Sequence, residues 1–331
     1  MRLSVGCMRR TTMLSALALV LCSVARSVDA QSGGTSSASP APDATTSRLM
    51  QRLHALAADS MEGRRAGTPG AARARRWLIA ELRAIGVEPM GTSYEHPFVI
   101  RTRNASPDTN GVNVVARIKG TAGSGPALVL SAHYDHLGIR NGEVFNGADD
   151  DASGCVTLLM IAERLMRERP THDVILTFFD AEESGLQGAR AFVANPPLPL
   201  STIGMNLNLD MVSRQDAGAL WVAGTSHTPM LKSVAESAAN GARVTIRFGH
   251  DTKDLKPGDD WTNSSDHGAF HARGIPFLYL GVEDHPDYHK AGDEAHKVDP
   301  TFFRGTMEYA YALLRRVDAA LPDIARARRT P

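Results

Sequence analysis

Apolar residues recur along this chain in two rhythms. Ala74, Trp77, Leu78, Leu82 and Ile85 fall at helical spacing, and Gly86 follows them as a left-handed stop. Cys155, Leu158, Leu159, Ala162, Leu165 and Met166 repeat the pattern and predict one buried face of an amphipathic helix. Around that helix the rhythm shortens. Val112, Val114, Val115 and Ile118 form one strand-like run, and residues 127–132 form another. Residues 173–179 are nearly continuous in apolar side chains, as in a strand covered on both faces. Further strands are expected at 202–209, 220–222 and 277–280, and helices at 46–58, 229–239 and 301–321. Strand, helix, strand implies a right-handed crossover in a parallel sheet. The chain therefore reads as an α/β fold, a single domain over residues 46–320 with a central, mostly parallel (mixed) sheet flanked by helices. Residues 246–265, full of Gly, Asp, Lys and Asn, read as a mobile loop.

The ends depart from this pattern. Residues 1–30 open with Arg2, Arg9 and Arg10, pass through the apolar run 13–21 and reach small residues before position 31, the order of a secretory signal peptide. That run is too short for a hydrocarbon core needing roughly 20 helical residues. No stable membrane insertion is expected after cleavage; an uncleaved anchor is the alternative. Residues 31–45 lack large apolar groups and read as a flexible linker, and 321–331 as a C-terminal tail.

Charge changes the picture once the signal is removed. The 331 residues carry 36 Lys+Arg and 36 Asp+Glu. Cleavage after Ala30 takes Arg2, Arg9, Arg10, Arg26 and Asp29, leaving 32 basic against 35 acidic residues, a formal −3. A chain without a basic excess has no footprint for nucleic acid. Cys7 and Cys22 leave with the signal, so Cys155 has no intramolecular partner, although the expected destination, periplasmic or secreted, permits disulfides.

The candidate chemistry collects where strands end. His133-Tyr134-Asp135-His136 follows the strand at 127–132, and Asp149-Asp150-Asp151 precedes the amphipathic helix. Asp180, Glu182 and Glu183 follow the strand at 173–179, Asp210 ends that at 202–209, and Tyr288-His289 lies beyond 277–280. Taken singly, each cluster has a plain explanation as a helix cap, a solvated turn or a surface histidine. Together they sit where open α/β sheets bind ligands. Carboxylates crowded there would repel one another unless a divalent metal lay between them. Imidazole with carboxylate suits zinc, and a carboxylate shared by two ions makes a hydrolytic pair.

These residues stand in the order AHYDHLG, NGADDDASG, FFDAEESGLQGA, NLDM, SSDHGAF with GIPFLYL, and YHKAGDEAHKVD. The order resembles metallopeptidase family 28, the co-catalytic di-zinc aminopeptidases and their carboxypeptidase relatives, of secreted bacterial type. MEGRRAGTPG, upstream, is similar to that type as well. The resemblance implies a zinc-peptidase, phosphorylase/hydrolase-like architecture and two Zn2+ per chain. His133 and Asp210 would hold one ion, Glu183 and His289 the other, with Asp150 between them. Glu182 would be the general base. Asp135 would accept the His133 imidazole N–H and fix its tautomer. Tyr288 is a candidate oxyanion donor, with packing beside His289 as the alternative.

The implied activity is that of a metallo-exopeptidase acting on peptide substrates, an aminopeptidase first, with carboxypeptidase specificity open. A glutaminyl cyclase with one zinc is the rival on the same fold, and a catalytically dead binding domain the rival outside enzymes. Met211, Phe270, Ile275 and the loop at 246–265 could line a pocket, though core or lid packing suits them better. Ser265-Asp266-His267 is no hydrolase triad, since three consecutive residues cannot form a relay and no Gly-x-Ser-x-Gly is present.

Overall fold

Asp43 starts the first helix by accepting the amide N–H groups of Thr45 and Thr46 at 2.8 and 3.0 Å. Helix α1 (Ala44–Leu56) thus begins two residues before the expected position, in sequence that composition alone assigned to the linker. The computed structural model describes residues 43–101, 109–252, 254–256 and 258–328. The expected signal segment and the linker up to Pro42 lie outside the described residues.

Beyond α1 come α2 (Pro69–Ile85), β1 (Glu88–Pro89), β2 (Glu95–Ile100), β3 (Thr109–Ile118), β4 (Ala127–His133), β5 (Gly138–Arg140) and β6 (Glu143–Phe145). Then follow α3 (Gly154–Arg167), β7 (Val174–Phe179), α4 (Gln187–Ala194), β8 (Ile203–Leu209) and β9 (Leu220–Ala223). The chain closes through α5 (Met230–Ala239), β10 (Ile246–Phe248), α6 (His267–His271), β11 (Phe277–Gly281) and α7 (Pro300–Arg326). Thr68 caps α2, and Gly86 ends it at φ 85°.

The main sheet runs β1-β3-β7-β4-β8-β11-β9-β10, with β2 paired to β3. Its centre, β7-β4-β8-β11, is parallel, while β3 and β9 pair antiparallel to their inner neighbours. The sheet is therefore mixed with a parallel middle. Alternation along the strands splits the core in two. Leu128, Leu130, Leu176, Phe178, Leu207 and Leu209 pack toward α1, α2, α3, α5 and α7. Val129, Ile175, Phe179 and Ile203 face the other way, against Phe192 of α4 and Phe270 of α6. Phe270 and Ile275 belong to that second core, which is the packing role expected for them.

Two expectations need correcting. Residues 246–265 contain β10, parallel to β9, and the His250 ring stacks on Trp261 at 3.8 Å. A three-residue strand carries too little periodicity to be read beforehand. The C-terminal tail starts after Arg326, because α7 continues past 321 with Leu321 and Ile324 fully buried. Pro322 lies inside this helix and lacks the N–H that would bond the Asp318 carbonyl. His172 Nδ1 takes that carbonyl at 3.0 Å, so the acceptor is satisfied and the helix runs on. Among the described residues no helix is long and apolar enough to cross a membrane.

Candidate active site

Parallel strands β7, β4, β8 and β11 are neighbours, so everything just beyond their carboxyl ends meets on one edge. His133 is the last residue of β4 and pairs in register with Phe179 of β7, which brings Glu182 and Glu183 beside it. Asp210 follows β8, His289 lies in the loop after β11, and Asp149-Asp150-Asp151 form an irregular turn leading into α3. The Asp150–Asp151 peptide is cis. Ala181, Met211 and His289 adopt left-handed backbone conformations at φ 59°, 58° and 53°, which cost of order 1–3 kcal/mol each and gather at functional sites.

Asp150 joins the pieces. Its Oδ1 lies 3.2 Å from His133 Nε2, and its Oδ2 lies 3.1 Å from His289 Nε2. His133 Nε2 is also 3.4 Å from Asp210 Oδ1, and His289 Nε2 is 3.2 Å from Glu183 Oε2. The structure therefore brings the five expected ligands together as two histidine–carboxylate pairs flanking one shared carboxylate.

The outer two of the three consecutive acids are occupied otherwise. Asp151 lies close enough to His133 and Asp210 to share a cation with them, but its oxygens accept the N–H groups of Gly154, Met211 and His133 at 2.8, 3.2 and 3.1 Å. Asp149 Oδ1 accepts both the N–H and the hydroxyl of Ser213 at 2.7 Å. Asp151 and Asp149 are loop anchors, which leaves Asp150 facing the histidines.

Asp135 meets more than the expected partner. His133 Nδ1 lies 3.1 Å from the backbone carbonyl of Asp135 and 3.7 Å from its carboxylate. The carboxylate also accepts the Glu182 amide, which donates to Oδ1 at 3.0 Å. Both the carbonyl and the carboxylate of Asp135 face His133 Nδ1, and the carboxylate also places Glu182.

Three contributors had no role from the sequence. His136, within the HYDH run, puts Nδ1 2.7 Å from Glu183 Oε1. Tyr279 donates to the Asp210 carbonyl at 3.2 Å. Asp293 accepts the amides of Asp149 and Asp150 at 3.0 Å each, tying the loop of the shared carboxylate to the loop of His289. Such contacts join residues some 144 apart and leave no periodic trace.

The donor set fits a divalent cation. His136 and Glu183 form, with Asp150, a second group able to share one. Glu183 Oε1 and both His136 ring nitrogens are buried without a hydrogen-bond partner among the described residues, despite that close approach. Ligand atoms gathered this closely in a buried place are what an ion would satisfy.

The acids differ in the ionisation their surroundings favour. Burial opposes charge on Asp150, but His136, His133 and His289 hold its pKa well below the usual carboxylate range. Burial and Asp150 work against Glu183 too, and His136 and His289 outweigh them. At Glu182 burial prevails, aided by Asp210 and Asp266 and opposed by His133, and its pKa stands well above the usual range. Histidine neighbours thus favour the ionised form of Asp150 and Glu183, and burial favours the protonated form of Glu182.

A cavity of about 680 Å³ opens over these groups, lined by Glu182, Asp150, His289, Met211 and Tyr288 among others. Tyr288 stacks on His289 with ring centroids 4.0 Å apart. Ser265, Asp266 and His267 are buried, and the His267 ring bonds the Trp261 carbonyl rather than a nucleophile.

A mixed sheet whose parallel centre ends in a ring of histidines and acids defines an α/β metallohydrolase architecture. Residues 113–314 match the sequence model of Peptidase family M28, and the chain belongs to that family. BSAP, a zinc aminopeptidase from Bacillus subtilis, shares the fold with a TM-score of 0.67 at 15% identity, over 81% of this chain and 94% of that one. A glutaminyl cyclase from Porphyromonas gingivalis does so with a TM-score of 0.66 at 20% identity, over 81% and 97%. At these identities the likeness is one of fold. A vacuolar membrane protease of Candida albicans is 37% identical over 98 residues, 30% of this chain and 11% of that much longer protein.

Proposed function

We propose that the chain is a zinc-dependent exopeptidase that removes N-terminal residues from peptides. The observation that carries this reading is the Asp150 carboxylate, whose two oxygens face two different imidazoles, as a ligand shared by two ions requires. His133 and Asp210 would hold one zinc ion and Glu183 and His289 the other, with Asp150 common to both. Zinc supplies acidification of a water and polarisation of the scissile carbonyl. Glu182 takes the proton of the attacking water and delivers it to the leaving amine. The Asp135 carboxylate holds the Glu182 amide and so keeps that base pointed at the cavity. Tyr288, on the cavity wall, donates to the developing oxyanion.

The cavity favours a substrate end that is an amine. Beyond the ligands and Glu182 it is lined by Asp259, Glu283 and Asp284, against Arg190 as the one Lys or Arg among the described lining residues. A carboxypeptidase would need the opposite excess to bind a terminal carboxylate. The second reading, a glutaminyl cyclase with a single zinc, draws on the fold shared with the Porphyromonas gingivalis cyclase.

The test uses the chain from residue 31, with amino-acid anilides, N-acetylated counterparts and an N-terminal glutaminyl peptide, before and after chelation. Expected are turnover of free-amine substrates alone, loss on chelation, recovery with zinc and two ions per chain. Activity that survives complete metal removal sinks the proposal; cyclisation with one bound ion selects the second reading. Export through residues 1–30 to the periplasm or medium belongs to the same proposal. N-terminal sequencing of protein from each cell fraction tests it, and a cytoplasmic, uncleaved chain overturns it.

A further inference from the structure

The segment MEGRRAGTPG, which leads into α2, contains the bulkiest fully buried side chain of the described residues. Arg64 ends a 3-10 turn over Asp59–Arg64 and is 0% exposed. Its Nε donates to the Tyr134 carbonyl at 2.8 Å, and Nη2 donates to that of Gly147 at 2.8 Å. Nη1 donates to the carbonyls of Asn146 and Leu56 at 2.5 and 3.1 Å. All four acceptors are backbone. Tyr134 stands between His133 and Asp135, while Asn146 and Gly147 lead into Asp149-Asp150-Asp151. Gly63, at φ 61°, allows the approach, since a Cβ there would lie 2.5 Å from the Phe145 carbonyl oxygen.

A guanidinium buried without a carboxylate in contact is costly, and a structural staple could be made from neutral donors. What only this group offers is a rigid fork that fixes several carbonyls at once. The charge has a use here as well. Asp150, Asp151 and Asp293 act on Arg64 through space, so the cation offsets part of the acid excess at the ligand loops.

We propose that Arg64 is a positioning residue for the metal centre: its fork sets the His133 strand end and the Asp150 loop in mutual register before any ion binds. This rests on the reading of His133 and Asp150 as ligands. Arg64 touches no ligand side chain and acts through Tyr134, Asn146 and Gly147. Its charge by itself repels a cation, so fork and charge push metal affinity in opposite directions and can be separated. Arg64→Lys keeps the charge without the fork; Arg64→Met removes both.

The experiment measures zinc affinity of metal-free wild type, Arg64→Lys and Arg64→Met by competition with a chromophoric chelator, and melting with and without zinc. Both variants are expected to lose about 10–100-fold in affinity, the range for groups that orient ligands. The rise in melting temperature on adding zinc should shrink to match, because stabilisation by a ligand follows its affinity. A role confined to the fold lowers both melting temperatures equally and leaves affinity alone, which overturns the proposal. So does tighter binding by Arg64→Met, or failure of both variants to fold with or without zinc. A wild-type chain that takes up no zinc identifies the ligand reading itself as the failure.

Discussion

His267 donates from Nε2 to the carbonyl oxygen of Trp261 at 2.7 Å, and its other ring nitrogen is buried with no partner among the described residues. The ring also stacks on Phe277 with centroids 4.8 Å apart. Such a site accepts the neutral imidazole and resists the charged one.

The consequence is an acid sensitivity with a defined sign. Burial pulls the pKa of His267 from 6.5 down to about 3. Between those values the unfolded chain binds a proton that the folded chain refuses, so stability falls as pH drops through that window, by roughly 1.4 kcal/mol per pH unit. Above 6.5 the contribution is complete. His267→Gln keeps a donor for Trp261 and cannot be protonated, so its urea stability should depend less steeply on pH between 4 and 6. Parallel pH profiles for the two proteins contradict this account.

Asp150 and Asp151 adjoin in sequence and should fail differently. Asp150→Ala removes a carboxylate that faces only histidines and strands no amide, so loss of zinc should be its main effect, with metal-free melting lowered less than by Asp151→Ala. Asp151→Ala strands the amides of Met211 and His133, at roughly 1–3 kcal/mol for each buried group left unsatisfied, while Gly154 keeps the Asp151 carbonyl. Metal-free melting should therefore drop sharply for Asp151→Ala. Zinc counting and calorimetry on both variants decide which acid is the ligand.

Glu182→Gln is expected to bind zinc as the wild type does and to lose turnover by about 10²–10⁴-fold, the usual range for a general base. The amide keeps the shape of the side chain, and the backbone N–H still donates to Asp135. Unchanged kcat in a fully loaded variant removes Glu182 from the mechanism.

Cys155 should be inert toward thiol reagents in the folded chain. Its sulfur is buried and donates to the His133 carbonyl at 3.0 Å, and burial, with Asp151 adding to it, pushes its pKa well above the usual thiol value. Labelling kinetics with a maleimide should follow global unfolding. Rapid labelling under native conditions counts against that burial.

How far each feature could be read in advance depended on the range of the interaction behind it. β4, α3 and β7 were legible because their apolar spacing records which faces they bury. β10 and α6 were not, being too short to show a period. The ends of α1 and α7 were misplaced because a cap by Asp43 and a carbonyl rescued by His172 are single contacts. His133, Asp150, Glu182, Glu183, Asp210 and His289 could be marked as a group, since each lies at a strand end, before a helix or, for His289, in the loop beyond a strand.

The amino-acid sequence thus determined by itself the α/β layout and the edge at which its chemistry gathers, since both follow from local periodicity and from where the strands stop. Tertiary structure decided which acid of three faces the histidines, that the Asp135 carboxylate serves Glu182 as well as His133, and that His136, Asp293 and Arg64 surround the site. Those outcomes turn on which buried N–H groups and carbonyls compete for each side chain. That competition arises only when loops distant along the chain have been packed together.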